Sequence, residues 1–415
     1  MTGSLFLDLH VHIGRDGEGK AVKVTASSRL TLANILRECV ERKGIDLVGI
    51  VDCGAYGVLN DLKALQAQGE LVELSRGGWR YQERLTLFAG AELETVEANG
   101  GRAHQLCFFP SLSKLEDFAR FIWQKVKNNR LSSQVCYLSA HQLYGEVKKR
   151  DGILIPAHAF TPYKGIYGNC APSLEEVFGE AAADITTIEL GLSADQKMAL
   201  RIPELKERLF LANSDAHSLD KIGREYNEVV MEAPCFEELV KLLKGRKGKI
   251  IANYGLNPRL GKYHRSFCHR CGMAASAHVP PVMSCPVCGE GTDFVVGVLD
   301  RIVWISTLMQ GNAKNGAHPN ARKAAPNTSA DAENTSYCYQ VPLEFIPGLG
   351  KKTKEKLFRS FHTEMNILHH AEEGALKEVV GEKLASLLVK GRRGELQTTP
   401  GAGGIYGRIE GSDRL

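Results

Sequence analysis

Hydrophobic residues in the first 250 positions come in short runs, each closed by a polar residue and followed by a stretch with helical spacing. The runs are "LFLDLHVHI" (5–13), "IDLVGIVDC" (45–53), "LTLFAGAELET" (85–95), "AHQLCFFP" (103–110), "GILIPAHAF" (152–160), "ITTIELGL" (185–192) and "RLFLANSDAHS" (208–218). Runs of this length with turn residues between them predict strands. Segments such as "LTLANILRECVERKG" and "GVLNDLKALQAQG" predict the amphipathic helices that alternate with them. The rhythm is that of a β/α barrel or a related α/β fold.

In such barrels the loops that follow the strands meet at one end, so polar residues placed there can converge. His10 and His12 close the first strand, Asp52 the second, Glu92 the third, and His104 lies in the fourth; His158 ends the fifth, Glu189 the sixth, and Asp215 with His217 the seventh. Strict alternation along the first strand would put Asp8, His10 and His12 on one face. Imidazoles and carboxylates gathered in this way are the ligand set of divalent metal ions, and the pattern predicts a site for several of them. His141, His318, His362, His369 and His370 lack such placement and read as packing or surface residues.

The chain has 415 residues, 43% hydrophobic and 24% charged, with a formal charge of +4. That composition suits one large core with one or two small modules, and the net charge alone says little about nucleic acid. The text opens into a strand with no leader-like segment, and no apolar run is long enough for a membrane, so a cytoplasmic protein is expected. Of eleven cysteines, six are scattered singly before residue 240, as buried reduced thiols are.

Four others are paired: Cys268-x2-Cys271, thirteen residues, then Cys285-x2-Cys288. Four thiolates in two such knuckles make a closed, tetrahedral structural zinc site with no position left for water. Residues 241–270 carry nine Lys or Arg and no acid, with Tyr254, Tyr263 and Phe267 interleaved. Such a stretch suits a polyanion, its cations meeting phosphates and its rings stacking on bases. "IPGLGKKTKEKL" looks like a helix-hairpin-helix element, in which Gly348 and Gly350 let the backbone approach a DNA phosphate and Lys351, Lys352 and Lys354 add charge. The expected organisation is a barrel over 1–250, a basic segment with the zinc module over 251–310, a flexible linker over 311–336, a helical DNA-binding domain over 337–395 and a frayed tail over 396–415.

The motifs "DLHVH", "AELET", "AHQL", "PAHAF" and "SDAH" resemble, in this order, those of the polymerase-and-histidinol-phosphatase (PHP) superfamily. The resemblance implies a distorted (β/α)7 barrel holding up to three divalent metals (Zn, Mg or Mn) for phosphoester hydrolysis. It also implies His10, His12, Glu92, His104, His158, Asp215 and His217 as ligands, with Glu92 bridging. Asp52 is added as a candidate ligand from its place at a strand end. Two departures stand out: Asp52-Cys53 replaces the usual Asp-His, and "GRDGEGKAV" lacks the histidine often found past the first motif. Asp16, Glu18 or Asp52 is the expected substitute. Asp215, His10, His12 and Glu92 are the expected catalytic set, with Asp215 the costliest to lose. Arg15, Lys20, Lys164 and Arg224 stand in loops where a solvated cation is the simpler reading.

The order barrel, basic zinc knuckle, helix-hairpin-helix resembles the endonuclease Q family. That resemblance implies a nuclease that cuts double-stranded DNA on the 5′ side of uracil, hypoxanthine, xanthine and abasic sites. The alternative is a phosphatase or exonuclease using the same metals on a phosphomonoester or a DNA end. A sliding clamp is a conceivable partner, although no docking peptide stands out.

Overall fold

The structure is a computed structural model that describes residues 3–289, 291, 293–314 and 335–410. Most of the expected linker, residues 315–334, and His318 with it, lie outside the described residues, as do residues 411–415. Among the described residues no helix is long and apolar enough to cross a membrane.

Eleven strands belong to the barrel region: β1 (Leu5–Val11), β2 (Leu47–Ile50), β3 (Leu71–Glu73), β4 (Trp79–Tyr81), β5 (Leu85–Val96), β6 (Arg102–Phe108), β7 (Ile153–Pro156), β8 (Thr187–Glu189), β9 (Leu209–Leu211), β10 (Tyr226–Val230) and β11 (Lys249–Gly255). β1, β2 and β5 run parallel; β6 is antiparallel to both β5 and β7; β8 and β9 form a parallel pair. The amide of Ala159 donates to Glu189 O at 3.0 Å, which sets β8 beside the end of β7. His12 and Ala216 exchange backbone bonds with each other's strands, closing β9 against β1. The result is a seven-membered ring, β1-β2-β5-β6-β7-β8-β9, with β6 reversed. The "NGG" turn makes β5 and β6 a hairpin, so His104, near the start of β6, reaches the same end as the others.

The ring is filled by apolar side chains that include Leu7, Leu9, Leu47, Phe88, Leu106, Phe108, Ile155 and Leu211, and helix Phe236–Leu243 seals its floor with Phe236, Leu239, Leu242 and Leu243. A second, larger cluster, containing Val11, Ile13, Val48 and Ile50, packs the ring against its outer helices. Strict alternation fails along β1. Its pairing with β2 shifts by one residue between Asp8 and Val11, a bulge that turns the chain over. Leu7 and Leu9 therefore share the interior with His10 and His12, while Asp8 points away and accepts from the amides of Ser214 (3.1 Å) and Gly223 (3.0 Å). Asp8 is thus a tie between β1 and the loop after β9, not a neighbour of the two imidazoles.

β10 and β11 extend the sheet beyond the ring. The chain then leaves for the cysteine module, in which β12 (Phe267–Cys268) pairs with β13 (Phe294–Val295). The buried carboxylate of Asp300, at the start of helix Val298–Lys314, anchors this module by accepting from Ser266 N (2.9 Å), Ser266 Oγ (3.0 Å), Val282 N (2.9 Å) and Arg265 Nε (3.0 Å). The chain returns as β14 (Ser336–Tyr339), which pairs in parallel with β11. Helices Lys351–Phe361, Glu373–Val380 and Glu382–Arg392 come next, tied to the barrel by the buried pair Lys43–Glu364 at 2.7 Å and by Arg42–Glu355 at 2.7 Å. The last described residues form a short hairpin, β15 (Thr398–Thr399) with β16 (Arg408–Ile409), where a frayed tail was expected.

Candidate metal centre and its cavity

At the end of the ring where the ligand-type residues gather, three groups of three share members: His10, His12 and Glu92; His12, Asp215 and His217; Glu92, His104 and His158. Within each group the ligating atoms lie within 4.8 Å of one another. Glu92 stands in two groups and His12 in two, so the three positions are contiguous. The Glu92 carboxylate is 2.7 Å from His104 Nδ1, 3.4 Å from His10 Nε2 and 3.5 Å from His158 Nε2. Asp215 Oδ1 lies 3.2 Å from His12 Nε2 and 3.4 Å from His10 Nε2. His158 and Asp215 both have positive φ, 28° and 46°, a conformation that costs a non-glycine residue strain and aims the side chain where regular backbone would not.

The far nitrogens of the rings are taken. His10 Nδ1 is 3.0 Å from Glu189 Oε2, His12 Nδ1 is 3.1 Å from Asp52 Oδ2, and His158 Nδ1 is 3.1 Å from the Thr161 hydroxyl. Asp52 is itself held by the Ile13 amide at 2.6 Å, and Glu189 by Asn213 at 2.8 Å. Carboxylates behind the rings fix the tautomer that turns each Nε2 inward, the arrangement found behind metal-binding histidines. Of the sequence-derived candidates, Asp52 therefore stands behind His12 and outside the three groups. Asp16 and Glu18 lie elsewhere, Asp16 accepting from the amides of Glu18 and Lys20. Cys53 is a buried thiol, held protonated by its burial.

The donor set fits metal ions. His10 Nε2 and His12 Nε2 stand 3.2 Å apart, and two imidazole lone pairs at that distance need a cation or a shared proton between them. His104 Nδ1 lies 2.7 Å from Glu92 Oε1, buried but out of line for a hydrogen bond, as two donors turned toward a common ion are. The charges agree. Burial pushes His10 toward neutrality, but Glu189 and Asp215 outweigh it and hold the ring well above the ordinary histidine value. Burial would raise Glu92 and Asp215, yet His104 and Lys23 around the first and His10 beside the second keep both well below the carboxylate range. Burial brings His217 down to about 4, leaving its ring neutral and able to donate a lone pair. The protein alone balances its acids with protons, which an ion binding here displaces.

Sequence reasoning missed Lys23. It comes from a loop without periodicity, and its ammonium lies 2.9 Å from Glu92 Oε2.

A cavity of about 470 Å³ opens on the cluster, lined on the metal-ligand side by Glu92, His104, His158, Asp215 and His217. Its remaining lining includes Lys221, Arg224, Lys262, Tyr163, Tyr263 and Tyr406. Lys164 also lines it, whereas Arg15 and Lys20 are exposed and do not. Arg224 sits against the cluster, its guanidinium donating to the carbonyls of Ser214 (2.7 Å) and Asp215 (3.3 Å). Burial and the adjacent Arg224 push the Lys221 ammonium down, as happens where cations gather around a place for an anion.

Cys268, Cys271, Cys285 and Cys288 form a fourth group of ligand atoms within 4.8 Å. The amide of Cys288 donates to Cys285 Sγ at 3.3 Å, the turn that wraps a knuckle around its metal. The basic stretch before it is less free than its sequence suggests. Lys241 and Lys247 pair with Glu237, Glu238 and Glu232, and Arg265 pairs with Asp300. Tyr254 stacks on Tyr226 inside the fold, and of the three interleaved aromatics Tyr263 is the one that lines the cavity. Gly348 has a φ of +76°, Gly350 caps helix Lys351–Phe361, and Lys351 and Lys352 are exposed while Lys354 is half-buried.

A PHP-associated family model matches residues 195–247. The uncharacterised protein YqxK of Bacillus subtilis is 42% identical over 98% of this chain and 99% of its own length. An uncharacterised protein of Methanocaldococcus jannaschii, MJ0043, is 32% identical over 61% of this chain and 31% of its own. Among solved structures, the lesion-specific endonuclease PfuEndoQ of Pyrococcus furiosus superposes with a TM-score of 0.74 at 28% identity, covering 98% of this chain and 95% of that one. An endonuclease Q in complex with a 27-mer duplex carrying an abasic lesion at the active site gives 0.75 at 27% identity, over 98% and 96%.

Proposed function

The chain belongs to the endonuclease Q family of the PHP superfamily, and from that membership we propose that it is a divalent-metal-dependent DNA repair endonuclease. Its substrate is duplex DNA, cut on the 5′ side of uracil, hypoxanthine, xanthine or an abasic site. One observation carries the proposal: three contiguous ligand groups sharing Glu92 and His12 open onto a cavity lined with cations and aromatic rings. That pairing of metal donors with a nucleotide-sized, phosphate-friendly chamber suits phosphodiester hydrolysis.

Divalent ions held by His10, His12, Glu92, His104, His158, Asp215 and His217, be they Zn, Mg or Mn, would generate the nucleophile from water and neutralise charge growing on the phosphoryl oxygens. The chain's own groups do the rest. Asp52 and Glu189 lock the His12 and His10 rings against rotation. Lys23 supplies a fixed positive charge beside Glu92, limiting the repulsion between that carboxylate and an approaching phosphate. Arg224 and Lys221 face the incoming phosphate from the cavity lining and orient it. The four cysteines hold a structural zinc, whose thiolate ligands suit a reducing cytoplasm. Gly348, Gly350, Lys351, Lys352 and Lys354 grip the DNA backbone outside the cut site without reading sequence.

The test uses an end-blocked, labelled duplex carrying one hypoxanthine, uracil or abasic site, incubated with magnesium or manganese beside the undamaged duplex. A single nick on the 5′ side of the lesion is expected. Cleavage at scattered positions in both duplexes, or release of end nucleotides only, would overturn the proposal.

A further inference from the structure

The C-terminal stretch has no hydrophobic periodicity, yet it is closely fitted to the mouth of the barrel. Beyond the pairing of β15 with β16, Glu410 N donates to Gln397 O at 2.9 Å and Ile409 is buried. The loop between these strands is stitched to the segment that leads into the cysteine module. Gly401 N donates to Arg259 O (2.7 Å), Gly404 N to Lys262 O (3.2 Å) and Gly407 N to Leu260 O (2.9 Å). Glycine is required in this loop: a Cβ on Gly403 would lie 2.9 Å from the Phe267 ring, and one on Gly407 would lie 2.2 Å from the Thr399 carbonyl.

This hairpin carries Tyr406 into the lining of the cavity. The Tyr406 hydroxyl faces Arg224, the same side chain that holds the Ser214 and Asp215 carbonyls, so the hairpin is one residue removed from the metal ligands. The Lys262 ammonium lies 5.6 Å from the Tyr406 ring centroid and 5.0 Å from that of Tyr263. Tyr263 in turn meets Tyr163 edge to face at 5.7 Å. Three tyrosines from three separate segments thus gather beside the phosphate-facing cations.

We propose that the C-terminal hairpin is a wall of the active-site cavity, and that Tyr406, with Tyr263, positions the base of the damaged nucleotide while Arg224 and Lys262 attend its phosphate. The inference rests on the lesion-endonuclease reading. Aromatic faces hold bases by stacking, which tolerates differences in ring substituents, as an enzyme that accepts several deaminated bases requires. An abasic nucleotide offers no ring to stack. The contribution of Tyr406 therefore differs between the two kinds of lesion, and a merely structural role would not produce that difference.

The experiment compares wild type, Tyr406→Ala and Tyr406→Phe in the full chain, on a hypoxanthine duplex and an abasic duplex, with thermal melting of each variant as a check on folding. Relative to its rate at the abasic site, Tyr406→Ala should cut the hypoxanthine duplex on the order of 10- to 100-fold more slowly, the span expected for one lost base–aromatic stack. Tyr406→Phe, which keeps the ring, should restore the ratio. Equal rates for Tyr406→Ala and wild type on the hypoxanthine duplex, or equal losses on both duplexes, would overturn the inference and leave the endonuclease reading standing. A wild-type protein that nicks neither duplex would instead overturn that reading, and the inference with it.

Discussion

The four-thiol module and the barrel cluster present ligands for metal in opposite ways. The module draws its four from residues 268–288, within one local excursion of chain, and the spacing of the cysteines alone announces them. The cluster draws its donors from positions 10 to 217 and exists only once seven strands have closed into a ring. A centre built locally depends on its metal to fold, whereas a centre built from distant segments depends on the fold to exist. The first is therefore expected to fail by unfolding, the second by losing chemistry while the protein stays intact.

The largest effect should fall on the module. Structural zinc contributes about 10 kcal/mol to the folding of small sites of this kind. Cys285→Ser should leave residues 266–297 open to limited proteolysis while the barrel keeps its melting temperature. Joint melting of the two would break the contrast. Next comes Asp215→Ala, which should lower lesion cleavage by about 10³-fold or more while the metal held by the four cysteines stays in place; metal analysis alongside single-turnover rates checks both halves. Asp52→Asn tests the carboxylate behind His12. A loss of about 10- to 100-fold in metal affinity at the cluster, read by titration calorimetry, is expected, with the melting temperature little changed. The smallest effect belongs to neither centre. Replacing Lys351, Lys352 and Lys354 with alanine should weaken duplex binding and reduce its salt slope by up to about 3, without altering the metal content of either centre.

Legibility in the sequence divides along the same line. The cysteine spacing and the strand-end histidines and acids were legible because each sits at a fixed offset within a periodic run. The seven-strand ring came from the rhythm of those runs. Asp8 was misplaced because a one-residue bulge in β1 reverses the alternation, and a bulge leaves no mark in hydrophobic pattern. Asp52 and Glu189 were seen at strand ends, but only coordinates distinguish a carboxylate facing the cluster from one standing behind an imidazole. Lys23 and Tyr406 reach the cavity from aperiodic loops, where sequence carries no phase to say which way a side chain points. The apparent freedom of the basic stretch disappears because its acidic partners, such as Asp300 for Arg265, lie far along the chain or in neighbouring elements.

β14 completes the sheet after the chain has passed through the whole cysteine module. It covers the outer side of β11, which would otherwise present unpaired amides and carbonyls along Ala252–Gly255. A fragment ending near residue 250 would lose both strands and leave β10 as a bare border, a template for aggregation. Expression of the hydrolytic half by itself should accordingly yield insoluble material.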